Sequence, residues 1–102
     1  MIALNKSPKF SLGKLLITPG ASDALQRIGQ SPFSLLSQHA IGQWGIVDDS
    51  DRQANDDSLA DGSRLLSAYL LDDGETKVWV ITEAKDDDGV REATTILLPE
   101  EY

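Results

Sequence analysis

One hundred and two residues, 40% of them hydrophobic, with four prolines and no cysteine, describe one folded domain and exclude disulfides, thiolate zinc sites and cysteine nucleophiles. The net charge of −8 is polarised: residues 1–47 set Lys6, Lys9, Lys14 and Arg27 against Asp23 and sum to +3, whereas residues 48–102 sum to −11. Such a surface repels nucleic acid and anionic membrane and attracts basic partners.

The opening stretch MIALNKSPKFSLGK has separated bases but no continuous apolar core of a signal peptide, and apolar runs elsewhere are short. Neither export nor a membrane span is expected, which fits a cytoplasmic protein. Residues 1–11 read as a flexible segment ahead of a single domain over 12–102. Leu15, Leu16 and Ile17 form a brief extended run that enters a helix at Thr18-Pro19-Gly20, with Thr18 as cap and Pro19 in the first turn. Ala21, Ala24, Leu25 and Ile28 recur at helical spacing, and Gly29 ends the element. Ser31 and Pro32 repeat the same start, and Phe33, Leu36 and Ala40 mark one stripe of a second short helix that ends by Gly42. The stretch from Asp48 to Asp61 holds six aspartates and a thin stripe of Ala54, Ser58 and Leu59, predicting a short, mostly exposed helix closed by Gly62.

From Arg64 onward the pattern is β. Leu65 to Leu71 and Lys77 to Thr82 flank a turn at Asp72-Asp73-Gly74-Glu75, and Ala93 to Leu98 follows a second turn at Asp86-Asp87-Asp88-Gly89. The expected architecture is α+β: two or three short N-terminal helices packed on a three- to four-stranded antiparallel meander, with the Leu15 segment as an edge strand. Alternation directs Val78, Val80 and Thr82 toward the helices and leaves Trp79 on the second face, covered by a loop or a partner.

Four segments carry a resemblance. LGKLLITPGA (12–21), RLLSAY (64–69), WVITEA (79–84) and TTILLPEEY (94–102) resemble a family of small bacterial proteins of plasmids and phage-like elements, labelled plasmid-related proteins. The likeness implies a mobile-element setting and no catalytic residues. In that family the turn between the last two strands is short, so Lys85 to Glu92 is a longer, acidic version particular to this chain.

Candidate chemistry is sparse. The aspartates at 86, 87 and 88 do not make an EF-hand, because placing Gly89 at the sixth position puts Ala84 first and Thr95 twelfth, where carboxylates are required. A solvated turn is the expected role, and neither a metal nor a cofactor is expected. Asp48, Asp49, Asp51, Asp56 and Asp57 present carboxylates at helical spacing and mimic part of a line of phosphates. With Trp79 as an anchor, they point to capture of a basic, nucleic-acid-binding host or defence protein, without direct nucleic-acid or membrane binding. A barnase/RelE-like ribonuclease is the enzymatic alternative, with His39 and Glu83 as acid and base and Arg64 or Arg91 on the phosphate. A helix-end histidine beside the negative carbonyl terminus is the simpler account of His39. A homo-oligomer pairing through the strand that ends in Leu98 is the third alternative. Trp44, Trp79 and Tyr69 serve as core or half-core side chains, with an interface role as the alternative.

Overall fold

The computed structural model describes residues 7–102, so part of the segment expected to be flexible lies outside the described residues. The element order is β1 (Lys14–Ile17), α1 (Pro19–Ile28), α2 (Pro32–Ala40), α3 (Asp49–Asp61), β2 (Leu65–Leu70), β3 (Lys77–Thr82) and β4 (Ala93–Leu97), closed by a 3-10 turn at Pro99–Glu101. This is an α+β fold. The helix starts follow from local chemistry: Thr18, Ser31 and Asp48 each accept an early helix amide through the side chain, and proline occupies the first turn of α1 and α2.

The sheet corrects the expected meander. Its order is β1-β4-β3-β2, and β1 pairs with β4 in parallel, Leu15 beside Thr94 and Ile17 beside Ile96. The sheet is therefore mixed, and the helices lie between β1 and the other strands in sequence rather than ahead of the whole sheet. A parallel partner needs a long crossover, and here the three helices, β2 and β3 all lie between β1 and β4. β4 is thus interior, and pairing of copies through the strand that ends in Leu98 has no free edge to use.

α1 and α2 cover one face of the sheet. Ala21, Ala24, Leu25, Leu35 and Leu36 meet Tyr69, Val78, Val80 and Ile96 in one core. The helical stripe differs from the expected one at a single place: Leu35 is buried, while Phe33 is 65% exposed. Phe10, within the segment expected to be flexible, packs edge-on against His39 and stacks with Trp44, and the Lys9 amide donates to the Ala40 carbonyl at 2.7 Å. The ordered domain therefore begins before residue 12.

The outer edge of β2 is closed from within. The Ala68 amide donates to the Trp44 carbonyl and the Ile46 amide to the Ala68 carbonyl, at 3.0 and 2.7 Å. Gly45 makes this approach possible, since a Cβ there would fall 1.9 Å from the Ala68 carbonyl oxygen. One turn along, the Asn55 side chain takes both main-chain groups of Leu66: Nδ2 donates to the carbonyl at 2.7 Å, and Oδ1 accepts from the amide at 3.0 Å. Asn55 thus stands in for a neighbouring strand and docks α3 along that edge.

Candidate functional site

Two places concentrate polar chemistry: the surface of α3 and a buried cluster around His39. α3 is unusual in what it lacks. Its fully buried residues are Asn55 and Ser58, with Leu59 only partly covered and Ala54 exposed, so the expected apolar stripe is replaced by polar anchors. Asn55 holds the β2 edge, Arg91 Nη2 donates to the Ser58 carbonyl at 3.0 Å, and Trp44 Nε1 donates to Asp56 Oδ1 at 3.1 Å.

All six carboxylates of Asp48, Asp49, Asp51, Asp56, Asp57 and Asp61 are exposed. Asp48 caps the helix by accepting the Asp51 amide at 2.8 Å, and Asp57 accepts from Gln53 Nε2 at 3.0 Å. Arg52, the helix's one base, is turned to the Gly45 and Val47 carbonyls at 3.4 and 3.3 Å. Among the described residues the single ion pair joins Asp23 to Arg27, so no carboxylate of α3 has a cationic partner. At about 100° per residue, Asp49, Asp56 and Asp57 share the outer half of the helix with Gln53, opposite Asn55 and Ser58. Asp49 and Asp51 favour the positive N-terminus of the helix, whereas Asp61 stands in the last turn, where the dipole opposes it; hydrogen bonds from Ser63 first, and the more distant Arg91 charge after them, hold its carboxyl below the usual value.

His39 occupies the opposite environment. It has no exposed surface, and the rings of Phe10 and Trp44 lie against it. Nδ1 meets Ser67 Oγ at 2.5 Å and Nε2 meets Thr82 Oγ1 at 2.8 Å. Thr82 continues to Thr94 at 2.7 Å, and the Thr94 hydroxyl donates to the Leu12 carbonyl at 2.7 Å. A carbonyl only accepts, so it fixes the direction of the whole chain. The Thr94 proton goes to Leu12, Thr82 donates to Thr94, His39 Nε2–H donates to Thr82, and Ser67 donates to a bare Nδ1. Burial first, and the nearby Arg91 charge second, lower the imidazole from 6.5 to about 4. The account of His39 as a cation at a helix end is thereby corrected: it is neutral and internal, and its two nitrogens are already occupied.

The four residues of the ribonuclease alternative are not brought together. Arg64 is exposed, donates to the Tyr102 hydroxyl at 2.6 Å and lies over that ring, on the face of the sheet away from His39. Arg91 is buried, and Glu83 meets it through its main-chain carbonyl, with the side chain exposed. Trp79, the expected anchor, is half-buried, with the Tyr102 ring edge-on against it at 5.7 Å. Trp44 is core. In the acidic turn, Asp86 Oδ1 accepts the amides of Asp88 and Val90, both at 2.9 Å, which gives that residue a local structural role.

Sequence reasoning missed Asn55, Ser67 and Glu101. Glu101 reaches the start of α1, where Oε1 accepts from the Thr18 hydroxyl and the Leu98 amide and Oε2 from the Gly20 amide, at 2.5, 2.9 and 2.9 Å. These hydrogen bonds, that of Thr18 foremost, hold its carboxyl below the usual value. No protein family, curated protein or solved structure matches the chain.

The His39 geometry predicts a pH dependence. Its folded pKa lies below the unfolded one, so between about 6.5 and about 4 the unfolded chain holds the extra proton; stability is full above this window and falls as pH drops through it. Between about pH 7.5 and pH 5 the contribution is about 2 kcal/mol. Urea unfolding of wild-type and His39→Gln chains over this range is expected to show that loss in the wild type alone, on top of a lower overall stability of the variant; equal slopes would contradict it.

Proposed function

We propose that the protein is a small non-enzymatic binding module that presents α3 to a basic protein surface. The observation that carries this reading is that the thirteen-residue α3 fully buries no apolar side chain, yet with its Asp48 cap it carries six exposed carboxylates, none of them in an ion pair among the described residues. A helix polar on nearly all sides gains little from packing. That arrangement makes sense where the charge is neutralised by a partner. The best charge match is a surface built to grip nucleic acid, since its lysines and arginines are spaced for a line of anions. The resemblance to plasmid-related proteins supports a mobile-element setting, in which the partner is a host or defence protein. The surface is carried by Asp48, Asp49, Asp51, Asp56 and Asp57; Trp79, half-buried against Tyr102, contributes to the fold instead. The ribonuclease reading gains nothing from the geometry, because His39 has neither exposure nor a nitrogen to offer.

Replacing those five aspartates by asparagine tests the proposal with the fold retained, since asparagine caps as well as aspartate and still accepts from Trp44. The immobilised chain is expected to capture basic proteins from host lysate at low salt and release them as salt rises to about 0.5 M. The five-asparagine chain is expected to capture none and to melt within a few degrees of the wild type. Undiminished capture by that chain would overturn the proposal.

A second reading is favoured by β1. The amides of Lys14 and Thr18 bond toward β4, so Leu15 and Ile17 turn their main-chain groups outward from the sheet edge. Leu15, Leu16, Ile17 and Phe33 are all exposed around that edge. Antiparallel pairing of two copies about Leu16 sets Leu15 against Ile17 and Lys14 against Thr18, which joins the sheets without a like-charge clash. Light scattering is expected to give a dimer that becomes monomeric on Leu15→Lys/Ile17→Lys substitution; a monomer at high wild-type concentration would remove this reading.

A further inference from the structure

Arg91 is the one ionised side chain buried among the described residues, at 3% exposure, and no carboxylate lies at ion-pair distance from it. Its acceptors are main-chain carbonyls: Nη1 donates to Ser63 at 2.7 Å and Glu83 at 3.0 Å, and Nη2 to Ser58 at 3.0 Å. A guanidinium has five N–H groups. Three are used, Nε has no partner, and one N–H of Nη2 remains. Burial lowers the pKa of Arg91, and the negative charge of Asp61, beyond ion-pair distance, offsets that only in part, while the centre of the Phe10 ring lies 5.8 Å from the guanidinium carbon. Nε–H and one Nη2–H are thus the donors that Arg91 has left for an oxyanion.

Arg91 also lines a cleft of about 290 Å³ with Lys9 and Lys85, and no aspartate or glutamate is among the lining residues. On a chain of net charge −8 this inverts the prevailing sign. The main chain that carries these residues is fixed by the fold. Lys85 and Arg91 face each other across the ribbon at the base of the acidic turn, the Lys85 amide donates to the Gly62 carbonyl at 2.8 Å, and the Lys9 amide is fixed to Ala40. Ser11 adds a hydroxyl, and Phe10, Leu59 and Val90 supply apolar walls. The volume exceeds that of a bare phosphate, and the apolar part calls for an organic group beside the anion.

We propose that this cleft binds a small phosphate monoester, the phosphate meeting Arg91, Lys9 and Lys85 and the organic part lying on Phe10, Leu59 and Val90. The site is separate from the acidic surface of α3, and its ligand has the opposite charge from the partner proposed for that helix. Inorganic phosphate, phenyl phosphate and acetate are titrated into the ¹⁵N-labelled chain at constant ionic strength, following the amides of Ser11 and Val90 and the Arg91 Nε–H. Phenyl phosphate is expected to give saturable shifts at all three, with inorganic phosphate about tenfold weaker and acetate weaker still. A Lys9→Gln/Lys85→Gln chain, whose exposed substitutions leave the fold intact, is expected to bind phenyl phosphate about tenfold more weakly. Absence of saturable shifts with phenyl phosphate, or shifts that survive the double substitution unchanged, would overturn the proposal.

Discussion

A single chain of hydrogen bonds, from Ser67 through His39, Thr82 and Thr94 to the Leu12 carbonyl, joins α2 to β2, β3, β4 and the segment ahead of β1. Its four side chains are buried, so each must be satisfied internally, and the terminal carbonyl leaves one consistent arrangement of protons. Removing one link leaves its neighbours without partners in a dry core, at a cost of about 1–3 kcal/mol for each orphaned group. A core of leucine and valine alone would tolerate small slips between helix and sheet; this one ties their register to hydrogen-bond geometry. The sheet in turn positions what lies outside it. β2, fixed by Ser67, offers Leu66 to Asn55 and Ala68 to the Trp44–Ile46 segment, so the placement of α3 and its carboxylates is inherited from the buried chain.

Four segments, residues 12–21, 64–69, 79–84 and 94–102, converge in the fold. Thr18 and Gly20 of the first receive Glu101 of the last; Ser67, Thr82 and Thr94 belong to the second, third and fourth and share the His39 chain; Arg64, Trp79 and Tyr102 meet on the other face. Their common property is structural: they close the sheet, cap α1 and complete the polar core. The exposed aspartates of α3 and the basic cleft beside Arg91 both lie outside these segments. Two surfaces of opposite charge are thus mounted on one scaffold, and the chain's overall −8 hides the smaller of them.

Local chemistry made much of this legible. Caps at Thr18, Ser31 and Asp48, helix ends at Gly29 and Gly62, and the two turns that separate β2, β3 and β4 are each written within a few residues. The parallel pairing of β1 with β4 is not, because it joins segments about 80 residues apart and no neighbour of Leu15 announces the partner. On α3, propensity favoured Ala54 for the inward face, whereas the fold chose Asn55, whose amide satisfies two main-chain groups that alanine would leave bare. For the same reason the α3 surface was legible and its anchoring was not: charge patterns are local, but a docking amide is recognised only once the strand edge beside it is known. His39 had a trace in sequence. Alternation turned the Thr82 hydroxyl inward, and His39 lies one turn after the buried Leu35 and Leu36; a buried hydroxyl facing a helix calls for a polar side chain there.

The central claim is that His39 is a neutral, directed link in the core. The ¹⁵N spectrum of its ring tests this most directly, because the two nitrogens separate cleanly by protonation. The geometry predicts a protonated Nε2 with a slowly exchanging proton, a bare Nδ1, and no change between about pH 7 and pH 5. A ring protonated at Nδ1, or one that titrates near its ordinary 6.5, would contradict the account.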